Sequence, residues 1–421
     1  MYQRTHLANG IRLLTETVSH VRSVTIAYFF GVGSRYEAAE LSGASHLIEH
    51  MLFKGSQAYP TARAISEAIE GVGGVLDAET GKELTVYSSK IASHHFDLAM
   101  GLLADMVLHP RFEPAELEKE RRVILEELGM YHDSPQEWVG VLGEETFWPD
   151  LPLGREVAGT RETVASIGRA ALLDYWASHY VPGNLVVSVV GNVEHEQVLD
   201  RVRALLGAWE AGDAPRWTPC SPPRETARIR LEQRRTAQTN LCLYTLGLRH
   251  DDPDYYALVL LNAVLGDGMS SRLFLAVREE QGLAYDVSSA PVTYHDTGAF
   301  VVYAGVEPRR TGAALRAILR ELRRMRDEPV GAEELGRAKE YTKGRMALRL
   351  EDTHSVASWL GGQEALLGEV RELDETLALV DAVTAADVQR VAKTLFDDAW
   401  LRLALIGPHK QEAQFERLLH L

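Results

Sequence analysis

The stretch from Ser45 to Met51 reads S-H-L-I-E-H-M and brings two histidines and a glutamate together. On a helix, His46 and His50 are four residues apart, so their imidazole rings project from one face, one turn from each other. Two such nitrogens suit Zn²⁺, which binds histidine at about 2.0–2.1 Å. Glu49 stands beside them, in a position to take a proton from water. The order H-x-x-E-H therefore predicts a metal centre with its own general base.

The residues around this motif favour a helix that is buried on one side. Ser42 is placed as an N-cap, and Gly55 ends the run. The apolar stripe of this helix consists of Leu47, Ile48, Met51 and Leu52. A histidine pair on a half-buried helix can also be purely structural, so the motif alone leaves both interpretations open.

Composition places the chain among ordinary globular proteins. It has 421 residues, of which 46% are hydrophobic and 25% are charged, and this length predicts two or more domains. The formal net charge of −16 argues against nucleic acid or an anionic membrane as the main partner. Only two cysteines occur, Cys220 and Cys242, so neither a disulfide framework nor a thiolate metal site is expected.

The sequence has no targeting or membrane-spanning pattern. The first 16 residues, MYQRTHLANGIRLLTE, lack the apolar core of a signal peptide. No apolar run approaches the roughly 20 residues that a membrane helix needs. A cytoplasmic location without membrane attachment is therefore expected.

Apolar and turn-forming residues predict the elements of the first half of the chain. Strands are predicted at 11–15 and 24–30, at 74–89 with an interruption at Gly81, and at 185–190. Helices are predicted at 61–71, 94–108, 167–180 and 195–209.

A charged helix is predicted from Glu113–Pro114 to Met130, with proline in the first turn, where it is tolerated. Its buried stripe consists of three apolar residues: Leu117, Ile124 and Leu128. Glu120 and Glu127 lie close to this stripe, whereas Glu126 points to the opposite side. A carboxylate beside a buried face needs a partner. Glu127 is therefore the predicted third metal ligand, and Glu120 is a predicted supporting carboxylate behind the ligands.

The second half of the chain repeats the first. The strand at 401–406 ends at Gly407 after a helix at 385–396, as the strand at 185–190 ends at Gly191 after the helix at 167–180. A proline-rich, aperiodic stretch separates the halves. The predicted organisation is an N-terminal zinc-binding domain at 1–212, a linker at 213–227 and a homologous C-terminal domain at 228–421.

The second half lacks H-x-x-E-H but carries the run from Gly266 to Tyr285. No Lys-Ser/Thr pair follows its glycines, so it is not a phosphate-binding loop of the G-x-x-x-x-G-K type. Arg278 and Tyr285 have the donors needed to hold a peptide carbonyl or an oxyanion. On their own, two such residues are more often ordinary surface or packing residues.

Taken together, these residues resemble the pitrilysin/insulinase class of inverted zinc peptidases. The likeness is to the short form, as in the mitochondrial processing peptidase β-subunit and its bacterial relatives. That class has H-x-x-E-H followed by about 76 residues and then Glu, and 76 residues separate His50 from Glu127 here. The other familial stretches are HMLFKGS, A-x-T-x-x-E-x-T at 78–85, ERRVILEEL at 120–128, LGREVAGT at 153–160 and GMSSRLFLAVREEQGLAY at 268–285.

The resemblance implies an α+β fold of two homologous repeats, each a mostly antiparallel sheet flanked by helices, that enclose a chamber. It implies that a peptide substrate adds as a strand near 76–88, where Asp77, Ala78 and Thr80 would contact it. Asp77 departs from the asparagine that is usual in the class and adds a negative charge near the metal. The resemblance also implies that an arginine and a tyrosine seven residues apart complete the site, here Arg278 and Tyr285.

The resulting hypothesis is a zinc endopeptidase that acts on peptides or unfolded protein segments, with one Zn²⁺ per chain on His46, His50 and Glu127. Glu49 would pass a proton from water to the leaving amine, and Glu83 would help to orient a ligand histidine. Because one chain carries both the zinc motif and the Arg/Tyr pair, a homodimer is favoured. The alternative is a non-catalytic structural or assembly subunit of the same fold, which would bind no stoichiometric metal.

Overall fold

A computed structural model describes residues 1–223 and 226–421. The predicted linker at 213–227 includes residues 224 and 225, which lie outside the described residues. The remainder of that stretch up to residue 223 contains neither helix nor strand. Within the described residues, no helix is both long and apolar enough to cross a membrane.

The first sheet has six strands in the order β1-β2-β6-β3-β5-β4. Its strands are β1 (Gln3–His6), β2 (Arg12–Thr17), β3 (Ser23–Phe30), β4 (Val75–Thr80), β5 (Thr85–Ala92) and β6 (Leu185–Gly191). Only β2 and β6 are parallel, and the other neighbours are antiparallel. Strand β4 lies at one edge and pairs with β5 alone among the described strands.

The second sheet has five strands in the order β7-β11-β8-β10-β9. Its strands are β7 (Ile229–Gln233), β8 (Thr239–Leu246), β9 (Ala284–Thr293), β10 (Gly298–Val306) and β11 (Arg402–Gly407). The parallel pair is β7 with β11, which corresponds to β2 with β6 in the first sheet. This order and these directions match β2-β6-β3-β5-β4 strand for strand. The predicted repeat of a mostly antiparallel sheet is confirmed, and Gly191 and Gly407 close the equivalent strands β6 and β11.

Fifteen α-helices are present in the described residues. The first eight are α1 (Ala44–Leu52), α2 (Ala62–Glu70), α3 (Phe96–Leu108), α4 (Pro114–Asp133), α5 (Pro135–Phe147), α6 (Arg161–Ser166), α7 (Arg169–His179) and α8 (His195–Leu206). The other seven are α9 (Tyr255–Leu265), α10 (Thr311–Asp327), α11 (Ala332–Arg349), α12 (Thr353–Leu367), α13 (Leu373–Ala382), α14 (Ala385–Leu395) and α15 (Ala413–Glu416). The helices predicted at 61–71, 94–108, 167–180, 195–209 and 385–396 are present, with ends that differ by at most three residues.

The compact units of the structure are not contiguous in sequence. The first unit consists of Met1–Gly129, Glu156–Thr218 and Leu348–Glu372. The second unit consists of Met130–Arg155, Pro219–Ala347 and Leu373–Leu421. Each half of the chain therefore supplies a segment to the unit that is built mainly from the other half. The division at 1–212 and 228–421 remains a prediction about the order of the repeats.

The exchanged segments are helices that cover the sheets. In the first unit, Ala357 and Leu360 of α12 pack on Phe29 of β3 and on Val186 and Val190 of β6. In the second unit, a corresponding cluster joins α5 to β8 and β11: Val139, Leu142, Phe147, Cys242, Tyr244, Ala404 and Ile406. The opposite face of each sheet has its own larger core. Each sheet is therefore covered by helices on both faces.

Candidate metal centre

Helix α1 begins at a turn that is capped from outside the helix. Both carboxylate oxygens of Glu37 accept hydrogen bonds from the α1 backbone, one from N of Gly43 at 2.8 Å and one from N of Ser45 at 2.7 Å. Gly43 is the N-cap and has φ of +95°, and a Cβ there would lie 2.6 Å from the carbonyl oxygen of Ala158. The prediction that Ser42 caps this helix was therefore wrong. A carboxylate at this end also suits the positive end of the helix dipole.

The two sides of α1 have different environments. Leu47, Ile48, Met51 and Leu52 are fully buried in the core between the helices and the first sheet. His46, Glu49 and His50 lie on the half-buried side. Because the apolar side anchors the helix, the three polar side chains are held together at the surface of a rigid element.

His46, His50 and Glu127 form a cluster that could hold a metal ion, with one donor atom from each within 4.8 Å of the others. The Nε2 atom of His50 lies 3.7 Å from Oε2 of Glu127, and the two histidine ring centroids are 4.6 Å apart. Helix α4 supplies Glu127, and its neighbour Glu126 is exposed. Within the described residues, this is the one cluster of three or more His, Cys, Asp or Glu side chains with such spacing.

The imidazole of His46 is held in its neutral form. Burial, followed by the neighbouring His50, lowers the pKa of His46 to about 4. Its Nδ1 atom is buried and has no hydrogen-bond partner within residues 1–223 and 226–421. A neutral imidazole keeps a lone pair that can bind a metal ion.

Glu120 lies two helical turns before Glu127 on α4, and its carboxylate contacts the ring of His50. Its Oε2 atom lies 3.1 Å from Nδ1 of His50, and its Oε1 atom lies 2.9 Å from Nζ of Lys54. Only 5% of Glu120 is exposed, so both oxygens are satisfied inside the protein. A carboxylate on Nδ1 fixes the tautomer of His50 so that Nε2 faces the cluster.

Glu49 lies against strand β4. The hydroxyl of Thr80 donates a hydrogen bond to Oε2 of Glu49. Burial raises the pKa of Glu49, and the hydrogen bond from Thr80 opposes that shift. Two buried tyrosines, Tyr87 and Tyr180, face the same region with their hydroxyl oxygens 2.9 Å apart. Burial raises the pKa of both tyrosines, and the charge of Glu49 adds to the effect.

The predicted substrate strand has its side chains on two faces, because successive residues of a strand alternate. Thr80 points toward α1, and Ala78 packs against the core on that side. Asp77 points the other way and lines a pocket of about 260 Å³ with His354 and Ser358 of α12. Its Oδ1 accepts a hydrogen bond from the backbone N of Ala78 at 3.0 Å. The charge of Asp77 nevertheless contributes to the raised pKa of Glu49.

Glu83, predicted to orient a ligand histidine, lies in a buried ion pair. Its Oε1 atom is 2.5 Å from a guanidinium nitrogen of Arg35, and the Arg35 side chain is fully buried. The carboxylate that contacts Nδ1 of His50 is that of Glu120. A role of Glu83 toward the metal centre remains a prediction.

Arg278 and Tyr285 lie in the second unit and contact each other. The guanidinium carbon of Arg278 is 5.4 Å from the ring centroid of Tyr285 and 4.7 Å from that of Phe274. Tyr285 is 73% exposed, although it is a large aromatic residue. Arg278 lies in a π-helical turn, Phe274–Glu279, a rare conformation that is frequent at functional sites. Their predicted part in catalysis remains a prediction.

The residues of the centre fit a zinc ion. Two imidazole nitrogens and one carboxylate oxygen are the donor set of many catalytic zinc sites, which keep a further position open. Donors on one tetrahedral zinc ion at about 2.0–2.2 Å lie roughly 3.4 Å apart, so the observed spacing needs only a small movement. Three carboxylates, Glu49, Glu120 and Glu127, lie around the histidines, with Lys54 as the cation that pairs with Glu120. A divalent cation balances this excess of negative charge.

Sequence reasoning did not find two of these contacts, those of Lys54 and of Tyr180. Lys54 follows the motif in the stretch HMLFKGS, but nothing local indicates that it pairs with a residue 66 positions later. Tyr180 follows α7 and lies 93 residues after Tyr87, so nothing local in the sequence indicates that their hydroxyl groups meet.

The chain matches two protein-family models and resembles proteins along nearly its whole length. Residues 12–161 match the family described as insulinase (peptidase family M16), and residues 166–341 match the peptidase M16 inactive domain. An uncharacterized zinc protease of Bacillus subtilis is 37% identical over 409 residues, which cover 97% of this chain and 98% of that protein. An uncharacterized zinc protease of Streptomyces coelicolor is 37% identical over 416 residues, which cover 97% and 90%.

Solved structures share the fold. A protease from Helicobacter pylori superposes with a TM-score of 0.92 at 21% identity, covering 97% of this chain and 99% of that one. A peptidase M16 inactive domain from Pseudomonas fluorescens gives a TM-score of 0.90 at 22% identity, covering 97% and 98%. The chain belongs to the insulinase family of peptidases, family M16, in its short, pitrilysin/insulinase-type form. The histidine motif lies in the part that matches the peptidase domain, and the part that matches the inactive domain lacks it.

Proposed function

We propose that this protein is a zinc-dependent endopeptidase that hydrolyses peptides or unfolded protein segments. The observation that carries the proposal is the convergence of His46, His50 and Glu127 within 4.8 Å of one another, beside the carboxylate of Glu49. Relatives at 37% identity that are named zinc proteases support the choice of metal and of reaction.

His46, His50 and Glu127 would hold the zinc ion. When bound there, zinc supplies Lewis acidity that polarises a peptide carbonyl and makes water easier to deprotonate. Glu49 then accepts the proton of the attacking water and gives it to the nitrogen of the leaving amine. Thr80 keeps one oxygen of Glu49 engaged, which orients the carboxylate. Burial raises the pKa of Glu49, which favours a group that alternately accepts and releases a proton.

Strand β4 provides the dock for an extended peptide. It is the edge of the first sheet, and Val75 at its start is 60% exposed. The backbone N–H of Ala78 bonds to the side chain of Asp77 and not to β5, so it faces the free edge. A peptide that adds as a strand can take this donor, and backbone hydrogen bonds of this kind accept many sequences. Thr80 on the same strand places the bound peptide next to Glu49.

The proposal includes a homodimer in the cytoplasm, in which Arg278 and Tyr285 bind the substrate carbonyl or the developing oxyanion. One chain carries the H-x-x-E-H motif, the edge strand and the exposed, stacked pair of Arg278 and Tyr285. Two copies of one chain would therefore contain every component of the proposed active site. Mixing two inactive variants, Glu49→Gln and Tyr285→Phe, tests for sharing between chains. Recovered activity in the mixture supports it, and an inactive mixture of refolded dimers contradicts it.

A peptide-library digest, read by mass spectrometry with and without a chelator, tests the function. Cleavage that chelator abolishes and added zinc restores is the expected result. Glu49→Gln should bind one zinc ion per chain and cleave nothing, whereas the exposed Glu126→Gln variant should behave as the wild type. Cleavage by Glu49→Gln would show that another group is the base. A wild-type protein that binds no zinc would indicate a non-catalytic subunit.

A further inference from the structure

We propose that Lys54 is a positioning residue of the metal centre, acting through Glu120 on the ligand His50. The inference rests on the proposed function, because it concerns how the chain prepares its zinc site. In the described residues, the ion pair of Lys54 is with Glu120 and not with a ligand. Its ammonium group lies 2.9 Å from Oε1 of Glu120, and Oε2 of the same carboxylate lies 3.1 Å from Nδ1 of His50.

The backbone around Lys54 is held in place, which directs its side chain. The N–H of Lys54 donates to the carbonyl of Met51 at 3.0 Å and so closes the last turn of α1. Gly55 follows with φ of +139°, and a Cβ there would lie 2.7 Å from the carbonyl oxygen of Pro60. The chain therefore turns sharply after Lys54, and only glycine fits the turn. Lys54 lies one helical turn beyond His50, so its side chain leaves the backbone on the same side as the metal ligands.

Glu120 needs a partner for each of its oxygens. Its side chain is 6% exposed, so water cannot replace a lost contact fully. His50 satisfies one oxygen, and Lys54 satisfies the other. A carboxylate with one contact can rotate, whereas a carboxylate held at both oxygens cannot. A buried oxygen without a partner also carries a desolvation cost.

No other basic side chain in the described residues takes this place. The neighbouring arginines on α4 are engaged elsewhere. Arg121 donates to the carbonyls of Val164 and Ile167, and Arg122 donates to the carbonyl of Glu118. The ion pairs of Glu120 in the described residues are those with His50 and Lys54. Lys54 is thus the cation that fixes the orientation of Glu120.

Lys54 and Glu120 would affect the metal site through the orientation of the His50 ring. With Nδ1 held by Glu120, the ring orientation is set and Nε2 faces Glu127 at 3.7 Å. Groups that orient a ligand histidine typically contribute about 10–100-fold to metal affinity. Removing Lys54 should therefore weaken zinc binding without removing any ligand.

Zinc affinity, measured by competition with a chromophoric chelator, tests the inference without relying on turnover. Lys54→Met should weaken zinc binding by about 10–100-fold, and Lys54→Arg, which keeps the charge and the donors, should recover most of the loss. Lys54→Gln is a second variant with a smaller change in polarity and should lie between the two. Lys119→Met removes a surface lysine of α4, whose side chain is 57% exposed, and should bind zinc as the wild type does.

A double-mutant cycle shows whether Lys54 acts through Glu120. In a Glu120→Gln background, adding Lys54→Met should change zinc affinity little, because the group that it orients is already altered. Additive losses, or wild-type affinity in Lys54→Met, would overturn the inference. If wild-type protein binds no zinc, the proposed function fails as well, whereas loss of the Lys54 effect alone leaves the proposed function standing.

Discussion

The hydroxyl of Thr80 donates a hydrogen bond to the carboxylate of Glu49, although 30 residues separate them in sequence. This contact joins the edge strand β4 to helix α1. The strand proposed to dock the peptide therefore also holds the proposed base. In the proposed mechanism, the side chain of Thr80 would couple the position of the substrate to proton transfer by Glu49.

Replacing Thr80 by valine keeps the shape of the side chain and removes the donor. The lost bond is to an ionisable partner, and such bonds contribute about 1.5–3 kcal/mol. We expect kcat to fall by about 10-fold or more while KM and zinc content stay close to wild type. Thr80→Ser keeps the hydroxyl and should retain most of the activity. A rise in KM with unchanged kcat would show that Thr80 only binds substrate.

Glu127 and Glu126 are adjacent on α4 but have opposite environments, which makes them a matched pair. Glu127→Gln removes a charged ligand and should weaken zinc binding by more than the roughly 10–100-fold typical of supporting residues. Glu126→Gln alters an exposed side chain and should leave zinc binding unchanged. Metal analysis after dialysis, together with chelator competition, measures both. Equal effects of the two variants would contradict the assignment of the third ligand.

Gly361 and Gly362 on α12 offer a second matched pair, for stability. A Cβ at Gly361 would lie 2.1 Å from Cε2 of the buried Phe29, whereas a Cβ at Gly362 would meet no atom within 4 Å. Gly361→Ala should destabilise the first unit by about 1–3 kcal/mol through overpacking. Gly362→Ala should stabilise it by up to about 1 kcal/mol, because alanine favours a helix interior. Thermal unfolding distinguishes these opposite signs, and equal melting temperatures would contradict the packing of α12 on β3.

Arg272, in the run GMSSRLFL, has a structural partner. Its guanidinium donates to both carboxylate oxygens of Glu334, at 2.8 and 2.7 Å, and these hydrogen bonds hold the pKa of Glu334 below its ordinary value. A lowered pKa in the folded state stabilises the protein above the ordinary pKa of about 4.3, and that stability is lost as pH falls through the lowered value.

Glu334→Gln should therefore reduce the free energy of unfolding by about 1 kcal/mol at pH 7. The difference from wild type should shrink as the pH falls below about 4. Urea unfolding at several pH values measures it. Glu333→Gln is the control, since the Glu333 side chain is 92% exposed and its pair with Arg337 lies on the surface. A deficit that persists unchanged at low pH would show that the ion pair is not its source.

Local pattern alone identified much of this protein. The spacing of His46 and His50 and the repeated strands follow the periods of helix and strand, and these periods are visible in a single sequence. The angle around α4 separated Glu127 from Glu126 for the same reason. The 76 residues from His50 to Glu127 agree with the pattern of the peptidase class, which the resemblance supplied. The matching strand orders confirm the repeat. Donor atoms of His46, His50 and Glu127 lie within 4.8 Å of one another, and their role as metal ligands stays a prediction.

Only the tertiary structure determined the contacts between residues that are distant in sequence. Glu37 caps α1 in place of Ser42, Lys54 reaches Glu120, and Thr80 meets Glu49. It also decided that α12 covers the first sheet and α5 the second, so that the compact units cross the midpoint of the chain. Such contacts join elements that are distant in sequence, and they depend on which apolar faces pack together. Packing is a property of the whole fold, because each face is buried only when its partner is present.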